Sequence, residues 1–415
     1  MTWQARTLGE ICDAGGGEVK TGPFGSQLHE ADYSADGGTP VVMPKDILDG
    51  KVSERSIARI SDEHIARLAH HKLRTGDIVF GRRGDIGRQA LVTNRESGWL
   101  CGTGCLRITL GDSQLDPAYL HYYLRDEAVV EGIAQLAIGA TMPNLNTAIL
   151  RGIPIRFPPL AVQRGIATTL SAYDDLIENN TRRIAILEEM ARRIYEEWFV
   201  RFRFPGYEGV RMVESELGLV PDGWTLKPFH DIANITMGLS PKGDTYNEEA
   251  GGTPLINGPV EFGERFTKQV KWTTSPTKLC DDGDLIVCVR GSTTGKYVKS
   301  DGVYCLGRGV CGIRAPHQSF VDQLFVHQLP TLLGQVGGST FPSWTGPQLK
   351  SHLVLVPPLD LLAQFEELAR PISDVVRVYS RQIENLRTTR DLLLPKLISG
   401  ELDVSDLPKS GQVAA

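Results

Sequence analysis

The chain has 415 residues, 41% hydrophobic and 23% charged, which points to two or three folded domains and excludes a disordered polymer. It contains no run of about 18 apolar residues, which argues against a membrane span, and Met1-Thr2-Trp3-Gln4-Ala5-Arg6 carries no apolar signal region; a cytoplasmic address is expected. The net charge of −6 excludes a uniformly basic nucleic-acid binder, so any such surface must be local.

In chain order, the first half opens with Trp3-Gln-Ala-Arg-Thr-Leu-Gly-Glu-Ile11 and passes through the Gly-rich loop Lys20-Thr-Gly-Pro-Phe-Gly-Ser-Gln-Leu28. Thr39-Pro40-Val-Val and Gly76-Asp77-Ile78-Val79 follow, the latter leading into Arg83-Gly84. Short apolar runs punctuated by Gly and Asp predict strands and turns. Ala140-Thr141-Met142-Pro143 and Phe157-Pro158-Pro159-Leu160 close this stretch. Beyond the Pro-Pro pair, Gly and Pro become scarce and helical periodicity begins. Ile166, Leu170, Tyr173, Ile177, Asn180, Ile184, Leu187, Ala191, Ile194 and Trp198 alternate steps of four and three, a heptad seam. A helix over about residues 161–199 would be roughly 60 Å long. Asn180 in that seam either fixes register or marks a splayed point.

The second half repeats the first. Trp224-Thr-Leu-Lys-Pro-Phe-His-Asp-Ile232 matches the opening, and Thr253-Pro254-Leu-Ile matches Thr39-Pro40. Gly283-Asp284-Leu285-Ile286 with Arg290-Gly291, Ser339-Thr340-Phe341-Pro342, and Val356-Pro357-Pro358-Leu359 follow in the same order. The offset shrinks from 221 at the Trp pair to 199 at the Pro-Pro pair, as small loop insertions and deletions would produce. A second seam is expected through Phe365, Leu368, Ile372, Val375, Tyr379, Gln382, Leu386, Thr389 and Leu393, with Pro371 marking a kink or a late helix start. The two seams are either separate helices, each packed on its own domain, or partners for one another, which is the simpler solution because each needs a partner and the two match in length.

A globular unit, a long helix, a second globular unit and a second long helix resemble the specificity subunit of type I restriction–modification enzymes. The resemblance rests on Lys20–Leu28, both Gly-Asp strands, both Pro-Pro-Leu junctions with Gln163 and Gln364 behind them, and the closing Leu394-Pro-Lys-Leu-Ile-Ser-Gly-Glu-Leu402. It implies an α+β fold of two pseudo-symmetric target-recognition domains, residues 1–157 and 206–357, separated by two long antiparallel coiled-coil helices. Those helices would occupy spacer segments 158–205 and 358–400, with 401–415 as a tail. It further implies double-stranded DNA with a bipartite target as ligand, and two methyltransferase (modification) subunits and restriction/translocase subunits as partners. S-adenosylmethionine, ATP and magnesium would belong to those partners, with no cofactor or catalytic site in this chain. Half-sites read from one DNA face would lie about one helical turn apart, roughly 34 Å.

Local charge fits that implication. Residues 67–107 hold eight cations against three acids, and residues 265–314 nine against four, a net of +5 in each. Two basic islands in an acidic chain suit two DNA-facing surfaces. Within them Arg82, Arg83 and Arg88, and Arg290, Lys296 and Arg308, follow predicted strands in Gly-rich loops; Lys20, Ser26 and Lys242 are weaker candidates. Arginine can read guanine bidentately, and lysine holds phosphate. The alternative is a duplicated-domain protein-binding scaffold without a DNA role.

Several look-alikes fail on chemistry. Gly291-Ser-Thr-Thr-Gly-Lys296 has one residue too few for a phosphate loop and Tyr297 where Ser or Thr should hold magnesium. The Pro-Pro pairs lack the neighbouring amide or acid that a base-flipping adenine methyltransferase uses. The seven cysteines are odd in number and scattered, which suits small buried thiols better than a disulfide framework or zinc site. His70-His71 is expected to be a surface pair. Arg182, Arg183, Arg192 and Arg193, beside Glu188, Glu189, Glu196 and Glu197, form either a solvated helix face or a docking surface.

Overall fold

The computed structural model describes residues 3–34, 37–137, 144–335 and 343–404. The motifs at 140–143 and 339–342, and most of the 401–415 tail, lie outside the described residues. The chain divides into two compact units, Met1–Glu178 with Glu384–Ala415, and Asn179–Ile383.

The first unit is built on a four-stranded antiparallel sheet ordered Gly16–Thr21, Cys105–Gly111, Ile78–Gly81, Gln89–Leu91. Thr39–Val42 runs parallel to Leu100–Cys101 and antiparallel to Arg59–Ile60. The opening strand Gln4–Thr7 pairs with Pro154–Phe157, the strand that leads into the first long helix. The second unit repeats this arrangement. Its sheet runs Asn234–Met237, Val310–Arg314, Leu285–Cys288, Tyr297–Lys299. Thr253–Ile256 is parallel to Tyr304–Leu306, and Thr225–Pro228 pairs with Leu353–Val356. The internal sequence repeat is thus a repeat of strand register.

The duplicated Gly-Asp motif has a local cause. Gly76 and Gly283 sit at φ of 89° and 85°, where a side chain would be strained. The aspartates that follow accept from the backbone three residues back: Arg74 N–H to Asp77 and Asp281 N–H to Asp284, both at 2.8 Å. Each turn is closed by its own acid.

The long helices are Leu160–Tyr195 and Leu359–Ser399, so the first, at 36 residues, is about 54 Å long. The first ends in a wide turn over Glu196–Val200, closed by Arg201 N–H to the Glu196 carbonyl at 2.9 Å. The second runs through Pro371 without interruption, so that proline does not delay the helix start. The two helices pack together antiparallel. In the first unit Asp174 meets Arg390; in the second Asn180 donates to Gln382 at 3.2 Å and the Arg183 guanidinium lies 5.5 Å over the Tyr379 ring.

Each unit's core joins sheet and helices. Ile166 and Leu170 pack with Ile78, Phe80, Tyr119, Leu397 and Ile398. Tyr195, Phe199 and Phe365 pack with Trp224, Val287 and Phe320, the Phe199 and Phe365 rings 5.0 Å apart. Along the first helix Ile166, Leu170, Ile177, Asn180 and Ile184 are buried, with Tyr173, Leu187 and Ile194 half-buried. On the second helix Ile372, Tyr379 and Leu386 are half-buried. Leu368 and Val375, however, are 48% and 40% exposed, and Ala369, Val376 and Ile383 are buried instead. The seam there steps four residues from Phe365, not three, and Ala369 joins the buried cluster that holds Phe365, Phe199 and Tyr195. His71 is also buried, its ring 4.0 Å from that of exposed His70, so the pair is not a surface feature.

All seven cysteines are free and buried. Burial pushes Cys12 and Cys288 up to about 11 and Cys101 and Cys311 to about 12, so these thiols are protonated and unreactive at neutral pH.

Candidate nucleic-acid interface

In the first unit, loops from four parts of the chain converge at one end of the sheet. Gly22 N–H donates to Cys105 O, Arg82 N–H to Gly104 O, and Leu145 N–H to Arg82 O, at 2.8–2.9 Å. A Cβ on Gly22 would stand 2.1 Å from the Gly102 carbonyl, so only glycine permits this approach. Thr103 Oγ1 donates to Pro23 O at 3.1 Å. The loop with Ser26 is thereby fastened beside Arg82 and Arg83.

The second unit builds the same cluster. Gly238 N–H donates to Val310 O, Val289 N–H to Gly309 O, and Trp344 N–H to Val289 O, at 2.9–3.0 Å. A Cβ on Gly238 would lie 2.1 Å from Gly307 O. The bridge between Arg83 and Asn144 recurs between Arg290 and Ser343. Gly81 N–H to Arg88 O recurs as Cys288 N–H to Lys296 O, both 2.8 Å. By this register Arg83 corresponds to Arg290, Arg88 to Lys296, and Arg82 to Val289.

The basic islands separate into two kinds of cation. Arg95, Arg107, Arg265, Lys299 and Arg314 are committed within the fold. Arg107 bonds Glu18 and the carbonyls of His70 and Lys72, and Arg314 grips Asp284 through two nitrogens at 2.8 Å. Glu96, Glu188 and Asp322 hold Arg95, Arg265 and Lys299. Arg82, Arg83, Arg290, Lys296, Arg308 and Lys242 form no ion pair among the described residues, and all but half-buried Arg82 are exposed. Arg82 Nε donates to the neutral Asn144 Oδ1 at 3.2 Å, and burial followed by the Arg83 charge lowers its pKa. A guanidinium held by an amide beside a second guanidinium favours an incoming anion or base edge.

Three candidates differ from this picture. Arg88 Nε is tied to Asp85 at 2.9 Å, and Lys20 lies within the strand Gly16–Thr21, its amine 3.9 Å from Glu18. Ser26 is exposed. Asn144 and Ser343 were not legible as partners from sequence; their signal is that each stands two residues before a helix cap, Asn146 and Thr345. The phosphate-loop look-alike forms the tip of a hairpin and is followed by the strand Tyr297–Lys299, not a helix. No group of three metal-ligating side chains occurs among the described residues.

Residues 1–189 and 221–380 match the family model for the type I restriction modification DNA specificity domain. The chain belongs to that family. This specificity subunit is 27% identical over 415 residues to the putative type I restriction enzyme MjaX specificity subunit of Methanocaldococcus jannaschii, covering 97% of this chain and 94% of that one. It is 24% identical to the MjaIX specificity subunit of the same organism, over 98% and 94% of the two chains. Its fold matches the crystal structure of the S subunit from M. genitalium with a TM-score of 0.65 at 17% identity, over 96% of each chain. As a DNA specificity subunit of a type I system, it is the sequence-reading, non-catalytic component. No helix among the described residues is long and apolar enough to cross a membrane.

Proposed function

We propose that the two globular domains, residues 1–157 and 206–357, each read one half of a bipartite, non-palindromic DNA target in the cytoplasm. The first would use Arg82 and Arg83, with Arg88, Lys20 and Ser26 toward the backbone; the second Arg290, Lys296 and Arg308, with Lys242. The helical segments 158–205 and 358–400 set the distance between the halves and receive two methyltransferase subunits. Methyl transfer from S-adenosylmethionine, and ATP- and magnesium-dependent restriction, belong to partner subunits.

The observation that carries this reading is the duplicated loop cluster. One hydrogen-bonded frame occurs twice and presents different side chains, Arg82-Arg83 against Val289-Arg290. A shared frame with divergent tips is what reading two different half-sites requires, since base-edge contacts specify and backbone contacts only position. The test is a genome-wide map of methylated adenine with the gene present and deleted. Loss of one two-part motif on deletion is expected; an unchanged map in a host expressing the partner subunits overturns the proposal.

A further inference from the structure

Besides the shared apolar core, one largely buried carboxylate ties the first domain to both long helices. Asp174, on the first long helix, accepts from Tyr122 Oη and Arg125 Nη1, both at 2.8 Å, and from Arg390 Nη1 at 2.5 Å. Tyr122 and Arg125 come from the globular domain and Arg390 from the second long helix, so three elements meet on one acid. Side-chain exposures are 11% for Asp174, 15% for Arg125 and 14% for Arg390. Burial would raise the Asp174 pKa, but the two guanidinium groups and the Tyr122 hydroxyl reverse that and hold it below the usual carboxylate value. One turn further along, Glu178 pairs with Lys51.

Behind the node the domain is braced by its own contacts. Gln89, next to Arg88, donates to His121 O at 2.8 Å, and its Oε1 lies 3.0 Å from His121 Nδ1. His121 adjoins Tyr122. Among the described residues of the second unit no carboxylate joins its domain to both long helices: Glu366, on the second long helix, accepts from Ser319 N–H and Oγ, both at 3.0 Å, and from no guanidinium. Asp174 lies fifteen residues after Pro159; fifteen after Pro358 stands Ser373, which bonds its own helix at Ala369 O. The ion pairs between that domain and the helices are Arg265–Glu188 and Arg377–Asp282, whose acids are 45% and 54% exposed.

We infer that Asp174 is a positioning residue for bipartite recognition: it holds the first domain at a fixed angle on the helix pair, so that this half-site is accepted at one spacing only. The inference rests on the proposed division of the target between the domains. Two linked contacts reinforce each other only when the link holds both in place, and a loosened link forfeits part of that advantage. Asp174 touches none of the DNA candidates, so its effect should appear in coupling and not in either half-site.

The full chain, assembled with its modification subunits, is titrated with three duplexes: the first half-site alone, the whole target, and the target with its spacer changed by one base pair. For Asp174→Asn and Arg125→Gln, half-site affinity should stay within about twofold, while affinity for the whole target falls about tenfold. Discrimination against the altered spacer should shrink toward unity. Equal weakening on the half-site and the whole target, or no change on either, overturns the inference. Tyr122→Phe, which keeps the packing and removes one hydrogen bond, should show the same pattern more weakly and guards against a folding defect. Wild-type protein that fails to bind the whole target would instead contradict the functional reading itself.

Discussion

The phase of the second long helix can be tested by truncating one side chain from each competing seam. Ile383 is 5% exposed and Leu368 48%, and both belong to the second unit. Ile383→Ala removes buried methylene and methyl groups and leaves a cavity, a loss of about 2–5 kcal/mol. Leu368 is half in solvent, so its truncation forfeits only part of the ~1.5–3 kcal/mol of a fully buried leucine, about 1 kcal/mol. Four of the six tryptophans, Trp198, Trp224, Trp272 and Trp344, lie in the second unit, so tryptophan fluorescence in urea reports mainly on it. With a slope of about 3 kcal/mol/M, Ile383→Ala should lower the midpoint by ~1 M and Leu368→Ala by ~0.3 M. Equal shifts, or a larger one for Leu368, would mean that the helix packs in the phase beginning Phe365-x-x-Leu368.

Two further outcomes follow from the same structure. Burial pushes His121 down to about 3, against about 6.5 in the unfolded chain. Its contribution is therefore intact above pH 6.5 and is lost as pH falls toward 3, because the unfolded state takes up the proton first, at up to about 1.4 kcal/mol per pH unit. Thermal melting at pH 7 and pH 5 should show a smaller acid loss in His121→Asn than in the wild type; an identical loss refutes this. Excising one heptad from each long helix at matched positions, residues 177–183 and 380–386, should change the spacer of the methylated motif and keep both half-site sequences. Altered half-site sequences would mean that the helices are not a ruler.

What could be read from sequence was whatever repeats or obeys a local period. Trp3 and Trp224, the Gly-Asp turns and the Pro-Pro junctions sit at equivalent strand registers because each motif closes its own turn or strand. The first helix seam was legible for the same reason. On the second helix, phases beginning 365–368 and 365–369 share Ile372, Tyr379 and Leu386, and Leu368 is bulkier than Ala369. The deciding signal was further on, where Ile383 competes with Gln382 for one position. Long-range pairing was not legible at all. Asp174 is 49 residues from Arg125 and 216 from Arg390. The charge islands looked uniform because Glu18, Glu188 and Asp322, which neutralise Arg107, Arg265 and Lys299, lie outside the basic windows in sequence.

The central claim is that each domain reads its own half of the target, and the methylation map tests it most directly when repeated with one loop cation removed at a time. Arg83→Gln should relax or abolish recognition in one half of the motif, at a cost of about 1–3 kcal/mol if the contact is a bidentate base pair, while the other half stays unchanged. Arg290→Gln should do the converse. Both substitutions altering the same half, or neither altering the motif, would contradict the account.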